Sequence, residues 1–412
     1  MGFFFFLPQT TQTTRTFNSK SSSKSVLLLI SLMFCFFLFS CAKKETITEE
    51  KIEAYIDPLR VRAAEISSAM EDRLLIAQLL ISGIDGRVNL PPNTVEMLTD
   101  IPTGGIMLFK YNLNSNKDTI STLLSETSAL IKEISGIAPF MAVDHEGGSV
   151  NRFPVGIADL PDASSYREAP DEELSQREKT QRQGRIITKI YEDSLRAGLE
   201  LSALGINMNF APVAEHLTDE NRFFLSRRSY GEDENFVSRA ASAFVNGMGL
   251  AGILCVVKHF PGSAGKDPHY SASVLDLDKN SANQFVSPFA YAINNRARAI
   301  MAAHTLIPAI DSEIASLSSV VMTNWLRGEL GFSGIIISDD FTMAAAGKLK
   351  PEEAAVRSVA AGSDIILVWP ALLKKTHEAF TAALENTNLS RERLLEAAQQ
   401  VIYEKLRMGL IY

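Results

Sequence analysis

The amino-acid sequence predicts an α/β fold, a (β/α)8 TIM-like barrel formed by a single domain. Two observations support this prediction: short apolar runs alternate with longer amphipathic stretches, and polar side chains gather where the apolar runs end. Continuously apolar, β-branched runs are typical of parallel strands that are buried on both faces. An open, doubly wound sheet is the alternative, but no glycine-rich phosphate loop follows an early strand.

The predicted elements follow one another as strand and helix along most of the chain. The candidate strands are 105–109, 140–143, 207–210, 253–257, 299–303, 335–338 and 364–368. The candidate helices are 118–134, 174–203, 234–250, 281–295, 320–330, 352–361, 371–386 and 389–408. In the last helix, Leu394, Ala398 and Val401 recur at helical spacing, which predicts packing against the barrel. The strands are one fewer than a (β/α)8 barrel requires.

Residues 1–41 have the composition of a signal peptide. Arg15, Lys20 and Lys24 are its only charged residues, and they precede the apolar run 26–40. This run is shorter than the roughly 20 residues of a membrane span. It ends at Ser40 and Cys41, which resemble the lipobox of bacterial lipoproteins, where the cysteine carries lipid. An uncleaved anchor helix and a plain secretory signal are the alternatives.

The expected organisation is therefore a leader (1–41), a polar tether (42–65) and the barrel domain (66–412), with the protein anchored in the cell envelope through Cys41, facing the periplasm or the surface. The whole chain has a net charge of −8, and the leader contributes only positive charges. Nucleic acid is not an expected partner, because phosphate binding requires clustered Lys and Arg. Cys255 lies in an apolar run and has no second cysteine in the domain, so we expect a buried, inert thiol.

Titratable side chains follow the ends of most of the predicted strands. They are Asp144 and Arg152 after the second strand, Arg228 after the third, Lys258, His259, Asp267 and His269 after the fourth, His304 after the fifth and Asp339 after the sixth. In a parallel barrel the carboxyl ends of all strands meet on one face, where active sites are built. The sequence therefore predicts an active site composed of these residues.

The residue types suit cleavage of a glycosidic bond. A retaining glycosidase requires a carboxylate nucleophile and a separate acid/base group. A histidine can act as the acid/base when a neighbouring carboxylate orients it, and Asp267 and His269 have the spacing for that pairing. Arg152, Arg228 and Lys258 are expected to hold sugar hydroxyls and to pair with Asp144.

A metal site is the alternative interpretation of the same residues. His259, His269, His304 and Asp339 carry groups that can bind zinc. However, no His-Glu-x-x-His pattern is present, and the interleaved Lys and Arg residues would repel a cation. We therefore expect neither a metal nor an organic cofactor.

Five motifs occur in the order found in a known enzyme family. They are Asp144-His145-Glu146-Gly147-Gly148, Phe210-Ala211-Pro212-Val213, Arg228-Ser229-Tyr230-Gly231, Lys258-His259-Phe260-Pro261-Gly262 and Ser338-Asp339-Asp340. Over residues 68–408 the chain resembles family 3 glycoside hydrolases, in the branch of β-N-acetylglucosaminidases. The resemblance implies an exo-acting retaining enzyme, expected to be monomeric, that removes terminal N-acetylglucosamine from glycans such as peptidoglycan fragments.

The resemblance also implies a role for each residue. Asp339 matches the nucleophile, His269 the acid/base and Asp267 its partner, whereas Asp340 is expected to be a structural neighbour. The residues that match the family's sugar-binding positions are Asp144, Arg152, Arg228, Lys258 and His259, and His304 is expected to face the same site.

The sequence departs from the family pattern in the loop that carries the acid/base pair. Ser263-Ala264-Gly265-Lys266 replaces a longer segment, so that its second histidine and its Asp-Thr are missing. Ser149 stands where an arginine is usual, and Glu215 where an aspartate is common. The shortened loop leaves one alternative open, a lipid-anchored, catalytically impaired sugar-binding protein. The resemblance implies a second alternative, because relatives with the same Asp–His pair use phosphate in place of water.

Overall fold

Eight parallel strands form the centre of the molecule in a computed structural model that describes residues 57–167, 174–265, 267–343, 346–347 and 349–411. Two further short strands pair with each other near the barrel mouth. In chain order the strands are β1 (Leu80–Gly83), β2 (Gly105–Leu108), β3 (Phe140–Val143), β4 (Met208–Asn209), β5 (Leu254–Phe260), β6 (Ser273–Val274), β7 (Ala299–Ala302), β8 (Thr305–Leu306), β9 (Ile335–Ser338) and β10 (Ile366–Val368).

The eight-stranded sheet closes on itself. Its order is β10-β1-β2-β3-β4-β5-β7-β9, and every pairing is parallel. The two ends of this order meet through a parallel bridge between Ile337 and Ile365, where the Ser338 amide donates to the Ile365 carbonyl at 2.9 Å. The predicted (β/α)8 barrel is therefore confirmed.

Helices cover the outside of the barrel. In chain order they are α1 (Pro58–Ala69), α2 (Asp72–Gln78), α3 (Pro92–Asp100), α4 (Lys117–Ser135), α5 (Gln176–Leu204), α6 (Arg222–Leu225), α7 (Glu234–Leu250), α8 (Lys279–Phe285), α9 (Ser287–Asn294), α10 (Pro351–Ala361), α11 (Pro370–Glu385) and α12 (Arg391–Arg407), with a π-helical segment at Val320–Glu329. The predicted helix 281–295 is two helices, because Pro288 lacks an amide hydrogen and begins a new helix. No helix within these described ranges is both long and apolar enough to cross a membrane.

Four helices and three strands were not predicted, namely α1, α2, α3, α6, β1, β6 and β8. β1 follows α2 after a single residue, so the apolar run of both elements shows no strand boundary. The predicted tether 42–65 is wrong over its last residues, since α1 begins at Pro58. Asp57 caps this helix through the Leu59 amide (2.9 Å) and accepts a hydrogen bond from Tyr403 (2.6 Å). The leader, with Cys41, lies outside the described residues.

Alternation along the strands separates the barrel interior from the layer between strands and helices. The interior cluster includes Phe140 and Ala142 of β3, Leu254 and Val256 of β5, and Ile335 and Ile337 of β9, together with Ile81, Met107, Met208, Phe210, Ala299, Met301 and Ile365. Cys255 points the other way, is buried, and forms no disulfide. Burial raises the pKa of its thiol, in keeping with an inert cysteine.

Candidate active site

The same alternation places three charged side chains at the mouth of the barrel. Asp144 follows the inward Ala142, Lys258 follows Val256, and Asp339 follows Ile337, each by two residues. Because strand side chains alternate with a period of two, all three point inward, one layer above the apolar interior. A closed barrel thus brings together residues that are far apart in the sequence.

A cavity of about 220 Å³ opens at this end of the barrel. Every predicted sugar-binding residue lines it, together with the predicted nucleophile and acid/base: Asp144, Arg152, Arg228, Lys258, His259, His269, His304 and Asp339. Asp267 does not line the cavity but contacts His269. The structure thus brings these strand ends together around one cavity.

One buried carboxylate, one half-buried carboxylate and three cations form a connected ion-pair network along one wall. The Lys258 ammonium lies 2.8 Å from Asp144 and 2.7 Å from Glu146. Arg152 donates to the other oxygen of Asp144 at 3.0 Å. Arg228 binds Glu146 through two hydrogen bonds of 2.8 Å. The expectation that Arg228 pairs with Asp144 is wrong, because the Nε and Nη2 atoms of its guanidinium bind Glu146 instead.

The network keeps its members charged. Burial favours the neutral form of each carboxyl, but the cations Lys258 and Arg152 outweigh it and hold the pKa of Asp144 below its usual value. Burial acts in the same way on Glu146, and Arg228 and Lys258 hold its pKa well below its usual value. For Lys258 the sign is reversed: burial favours the neutral amine, yet Asp144 and Glu146 raise its pKa. Fixed charges of this kind can bind sugar hydroxyls without reorganising.

His259 is held by a second buried carboxylate, Glu215. Glu215 lies 2.6 Å from Nδ1 of His259, and its other oxygen accepts hydrogen bonds from the amide and hydroxyl of Ser263, each at 2.6 Å. Burial raises the pKa of Glu215, but its bonds with His259 and Ser263 outweigh that effect and lower it. With Nδ1 engaged, Nε2 of His259 faces Arg228 at 3.5 Å, beside the cavity.

Asp267 and His269 form the predicted pair despite the shortened loop. One oxygen of Asp267 lies 2.6 Å from Nδ1 of His269 and accepts the His269 amide at 3.0 Å. The side chains are 39% and 59% exposed, respectively, so solvent reaches the pair. Burial works against ionisation of Asp267, but its bonds to the His269 amide and ring prevail and lower the pKa of Asp267. A charged Asp267 orients the ring so that Nε2 can act as acid or base.

The two adjacent carboxylates of Asp339 and Asp340 have different surroundings. Asp339 lines the cavity and accepts the Asp340 amide at 2.8 Å. The Asp340 carboxylate instead accepts from the Thr342 amide and hydroxyl, each at 2.8 Å, and from the Trp369 indole. Asp340 thus has the geometry of the structural neighbour that we expected.

His304 lines the cavity with both ring nitrogens engaged. Nε2 bonds the Asp340 carbonyl at 3.0 Å and Nδ1 bonds the Ser316 hydroxyl at 2.7 Å. Burial lowers the pKa of His304, which favours a neutral ring that donates to the Asp340 carbonyl. His304 therefore supports the backbone beside Asp339, a contact that the sequence pattern did not indicate.

Sequence reasoning assigned too little to Glu146, Glu215 and Phe224. Glu146 pairs with the cations, and Glu215 holds His259. Phe224 lines the cavity under the Arg228 guanidinium (5.1 Å to the ring centroid). The charge balance of the motifs could have indicated the two glutamates, since buried cations require buried anions. In the part of the chain that the structure describes, no group of three or more His, Cys, Asp or Glu side chains has the arrangement of a metal site.

A closed parallel barrel with a carboxylate and an Asp–His pair at its carboxyl face has the architecture of a glycoside hydrolase. Residues 73–403 match the family model described as the glycosyl hydrolase family 3 N terminal domain. A β-hexosaminidase from Neisseria gonorrhoeae (strain NCCP11945) is 34% identical over 295 residues, covering 69% of this chain and 77% of that protein. A β-hexosaminidase from Xylella fastidiosa (strain 9a5c) is 31% identical over 319 residues, covering 75% and 89%.

Solved structures of the same family superpose on the barrel. The family 3 β-N-acetylglucosaminidase from Paenibacillus sp. str. FPU-7 gives a TM-score of 0.75 at 30% identity, covering 83% of this chain and 63% of that longer chain. NagZ from Neisseria gonorrhoeae, in complex with N-trifluoroacetyl-D-glucosamine, gives 0.63 at 26% identity, covering 81% and 98%. The chain belongs to glycoside hydrolase family 3.

Proposed function

We propose that this family 3 glycoside hydrolase is an exo-acting, retaining β-N-acetylglucosaminidase that releases terminal N-acetylglucosamine from glycans, among them peptidoglycan fragments. The observation that carries the proposal is the Asp267–His269 pair, formed at 2.6 Å with His269 facing the cavity that Asp339 also lines. A carboxylate and a carboxylate-oriented histidine are the two groups that a double displacement requires.

In the first step a carboxylate oxygen of Asp339 attacks the anomeric carbon while the bond from that carbon to the leaving oxygen breaks. His269 gives its proton to the leaving oxygen, so the aglycone departs as a neutral alcohol. In the second step His269 takes a proton from water, and the water oxygen attacks the anomeric carbon. The bond to Asp339 then breaks, which restores the carboxylate and retains the β configuration of the sugar.

The remaining cavity residues bind and orient the sugar. Asp144 and Lys258 offer a fixed acceptor and donor for hydroxyl groups, Arg152 and Arg228 add donors on the same wall, and Nε2 of His259 adds an acceptor. A small cavity enclosed by charged side chains favours a single terminal sugar over the interior of a long chain, which supports exo action. The relatives named β-hexosaminidase, at 34% and 31% identity, support the choice of an acetamido sugar.

The test is release of p-nitrophenol from p-nitrophenyl N-acetyl-β-D-glucosaminide by residues 42–412, compared with the β-glucoside and with Asp339→Ala. Hydrolysis of the acetamido sugar alone, abolished by Asp339→Ala, is the expected result. Binding of N-acetylglucosamine without turnover would instead favour the catalytically impaired sugar-binding protein. Activity that requires inorganic phosphate would favour phosphorolysis.

We also propose that the mature protein is a monomer. We further propose that lipid on Cys41 anchors it to the cell envelope, because Cys41 directly follows the apolar run 26–40, which resembles a lipoprotein signal. Growth with radiolabelled palmitate should label the parent protein, which has Cys41, and should not label the Cys41→Ser variant. Equal labelling of both would contradict the anchor. Labelling of neither, with the leader removed, would indicate a plain secretory signal.

A further inference from the structure

Three stacked aromatic side chains border the barrel mouth at the ends of β2 and β10. The ring of Phe109 lies nearly parallel to that of Trp369, with centroids 5.0 Å apart and 12° between the planes. It lies equally parallel to the ring of Tyr111, at 5.7 Å and 10°. None of these rings lines the catalytic cavity, and the proposed reaction does not use them. We call these three residues the aromatic shelf.

Strand alternation places the shelf directly above the catalytic cavity. Met107 and Leu367 line that cavity, and Phe109 and Trp369 follow them by two residues, directly after the ends of β2 and β10. Side chains two apart on a strand point to the same side, so the shelf forms the next layer toward solvent. A ligand that extends out of the cavity passes this layer.

The strand order places the acid/base pair across the mouth from the shelf. The shelf spans the sector β10-β1-β2, whereas the loop with Asp267 and His269 follows β5, which lies opposite β1 in the closed order. The group that leaves when His269 donates its proton must start beside His269. A leaving group that extends from His269 across the mouth reaches the shelf.

The shelf exposes ring surface while its polar atoms are engaged. Trp369 is 40% exposed and Tyr111 is 49% exposed. The Tyr111 hydroxyl donates to the Ile84 carbonyl at 3.3 Å, and the Trp369 indole N–H donates to Asp340. The surface offered to solvent is therefore aromatic carbon, held in place by hydrogen bonds at its edges. An exposed apolar surface next to a cavity is typical of a binding site.

Polar groups complete a groove along the shelf. Tyr111 and Trp369 wall a groove of about 430 Å³ that Asp85 and Asn93 also line, with the Asn93 amide 3.3 Å from the Asp85 carboxylate. A flat aromatic surface packs against the C–H face of a pyranose ring, and a carboxylate and an amide at its edge can bind the ring hydroxyls. The Asp85 carboxylate opposes acidic peptides, so the groove favours a sugar.

We propose that the aromatic shelf is a subsite for the pyranose ring of the leaving group, the sugar next to the bond that is cut. The inference rests on the proposed N-acetylglucosaminidase activity and specifies its substrate class: glycans whose aglycone is itself a sugar ring. The shelf binds that ring by stacking, while the charged cavity below binds the terminal N-acetylglucosamine.

The first test compares N-acetylglucosaminyl-β-1,4-N-acetylglucosamine with methyl N-acetyl-β-D-glucosaminide. Both release an alcohol that needs the acid, but only the disaccharide carries a ring to stack. Trp369→Ala should lower the ratio of kcat/KM, disaccharide over methyl glycoside, by about ten-fold, the effect of one lost aromatic contact. Tyr111→Ala should lower it in the same direction.

Two matched variants separate stacking from other effects. Trp369→Phe keeps a ring but removes the bond to Asp340, and it should largely retain the ratio. Tyr291→Ala removes an aromatic side chain of the same 40% exposure on α9, outside the site, and should leave the ratio unchanged. An unaltered ratio in Trp369→Ala, or an equal loss in Trp369→Phe and Trp369→Ala, would overturn the subsite.

A second test does not depend on turnover. The chain has two tryptophans, and Trp325 is only 2% exposed, so changes of tryptophan fluorescence on ligand binding report Trp369. Titrating Asp339→Asn with tri-N-acetylchitotriose should give a saturable change that disappears in Asp339→Asn/Trp369→Phe. No change, or a change with an unglycosylated stem peptide instead, would overturn the proposal. A saturable fluorescence change, together with a parent protein that hydrolyses neither substrate, would retain the subsite and reject the proposed function.

Discussion

Glu215 accepts hydrogen bonds from both the amide and the hydroxyl of Ser263, each at 2.6 Å. Ser263 begins the shortened loop that leads to the acid/base pair, and the other oxygen of Glu215 holds His259. One buried carboxylate therefore holds His259, a proposed sugar-binding residue, and the first residue of the loop that carries Asp267 and His269.

Loss of the Ser263 hydroxyl should impair catalysis more than binding. Ser263→Ala removes one of the two bonds to the charged Glu215, and a bond to a charged group contributes about 1.5–3 kcal/mol. We expect kcat for the disaccharide to fall about ten-fold with little change in KM, since the loop positions the proton donor. Ser125→Ala, an exposed serine on α4, is the control. A rise in KM at constant kcat would mean that Glu215 and Ser263 serve sugar binding alone.

Substitutions of the two adjacent aspartates should have very different effects on kcat. Asp339→Asn removes the proposed nucleophile, and kcat should fall on the order of 10⁴-fold or more. Asp340→Asn keeps one oxygen that can accept from the Thr342 hydroxyl and the Trp369 indole, and loses only the acceptor of the Thr342 amide, so its loss of kcat should be far smaller. Steady-state kinetics on the p-nitrophenyl substrate measure both. Equal losses would reassign the nucleophile or show that both carboxylates act together.

The loss of kcat/KM caused by removing the acid/base should depend on the leaving group. His269→Ala should lower kcat/KM for the disaccharide by about 10²–10⁴-fold, the usual contribution of a general acid. The p-nitrophenyl substrate should be affected much less in kcat/KM, because its phenolate leaves without a proton. Asp267→Asn should show the same pattern more weakly, since Asp267 only orients the ring. A uniform loss on both substrates would place His269 outside proton transfer.

A buried lysine at the other end of the barrel predicts a pH-dependent stability. Lys405 of α12 is fully buried, donates to Gln78 at 2.7 Å and lies 5.1 Å above the Phe140 ring. Burial lowers the pKa of Lys405 to about 7. In the unfolded chain the pKa is about 10.4. Between these values the unfolded state binds the extra proton, so this group makes stability rise with pH and fall as pH drops toward 7.

Lys405→Met should remove that slope. From pH 7 to pH 9 the free energy of unfolding of the parent should rise relative to the variant by about 2 kcal/mol, at about 1.4 kcal/mol for each unit. Urea denaturation at several pH values measures the difference, and exposed Lys375→Met is the control. Parallel stability curves for parent and Lys405→Met would contradict a shifted lysine.

The sequence identified those parts of the fold and site whose signals are local. The predicted strand 335–338 and the predicted helix 234–250 agree with the structure, because apolar runs and helical periodicity can be recognised along the chain itself. β1 was missed because α2 precedes it without a turn residue. The partners of Arg228 and His304 were missed because closure of the barrel, and not sequence spacing, decides which side chains meet.

The central claim is that Asp339 forms a covalent bond with the sugar, and mass spectrometry of the quenched enzyme tests it most directly. His269→Ala should form the intermediate rapidly from p-nitrophenyl N-acetyl-β-D-glucosaminide and hydrolyse it slowly, since water lacks its base. We predict a protein heavier by one N-acetylglucosaminyl group, with the modification on the peptide that contains Asp339 and absent in Asp339→Asn. Turnover without any adduct and without a burst of p-nitrophenol, or an adduct on another residue, would contradict the account.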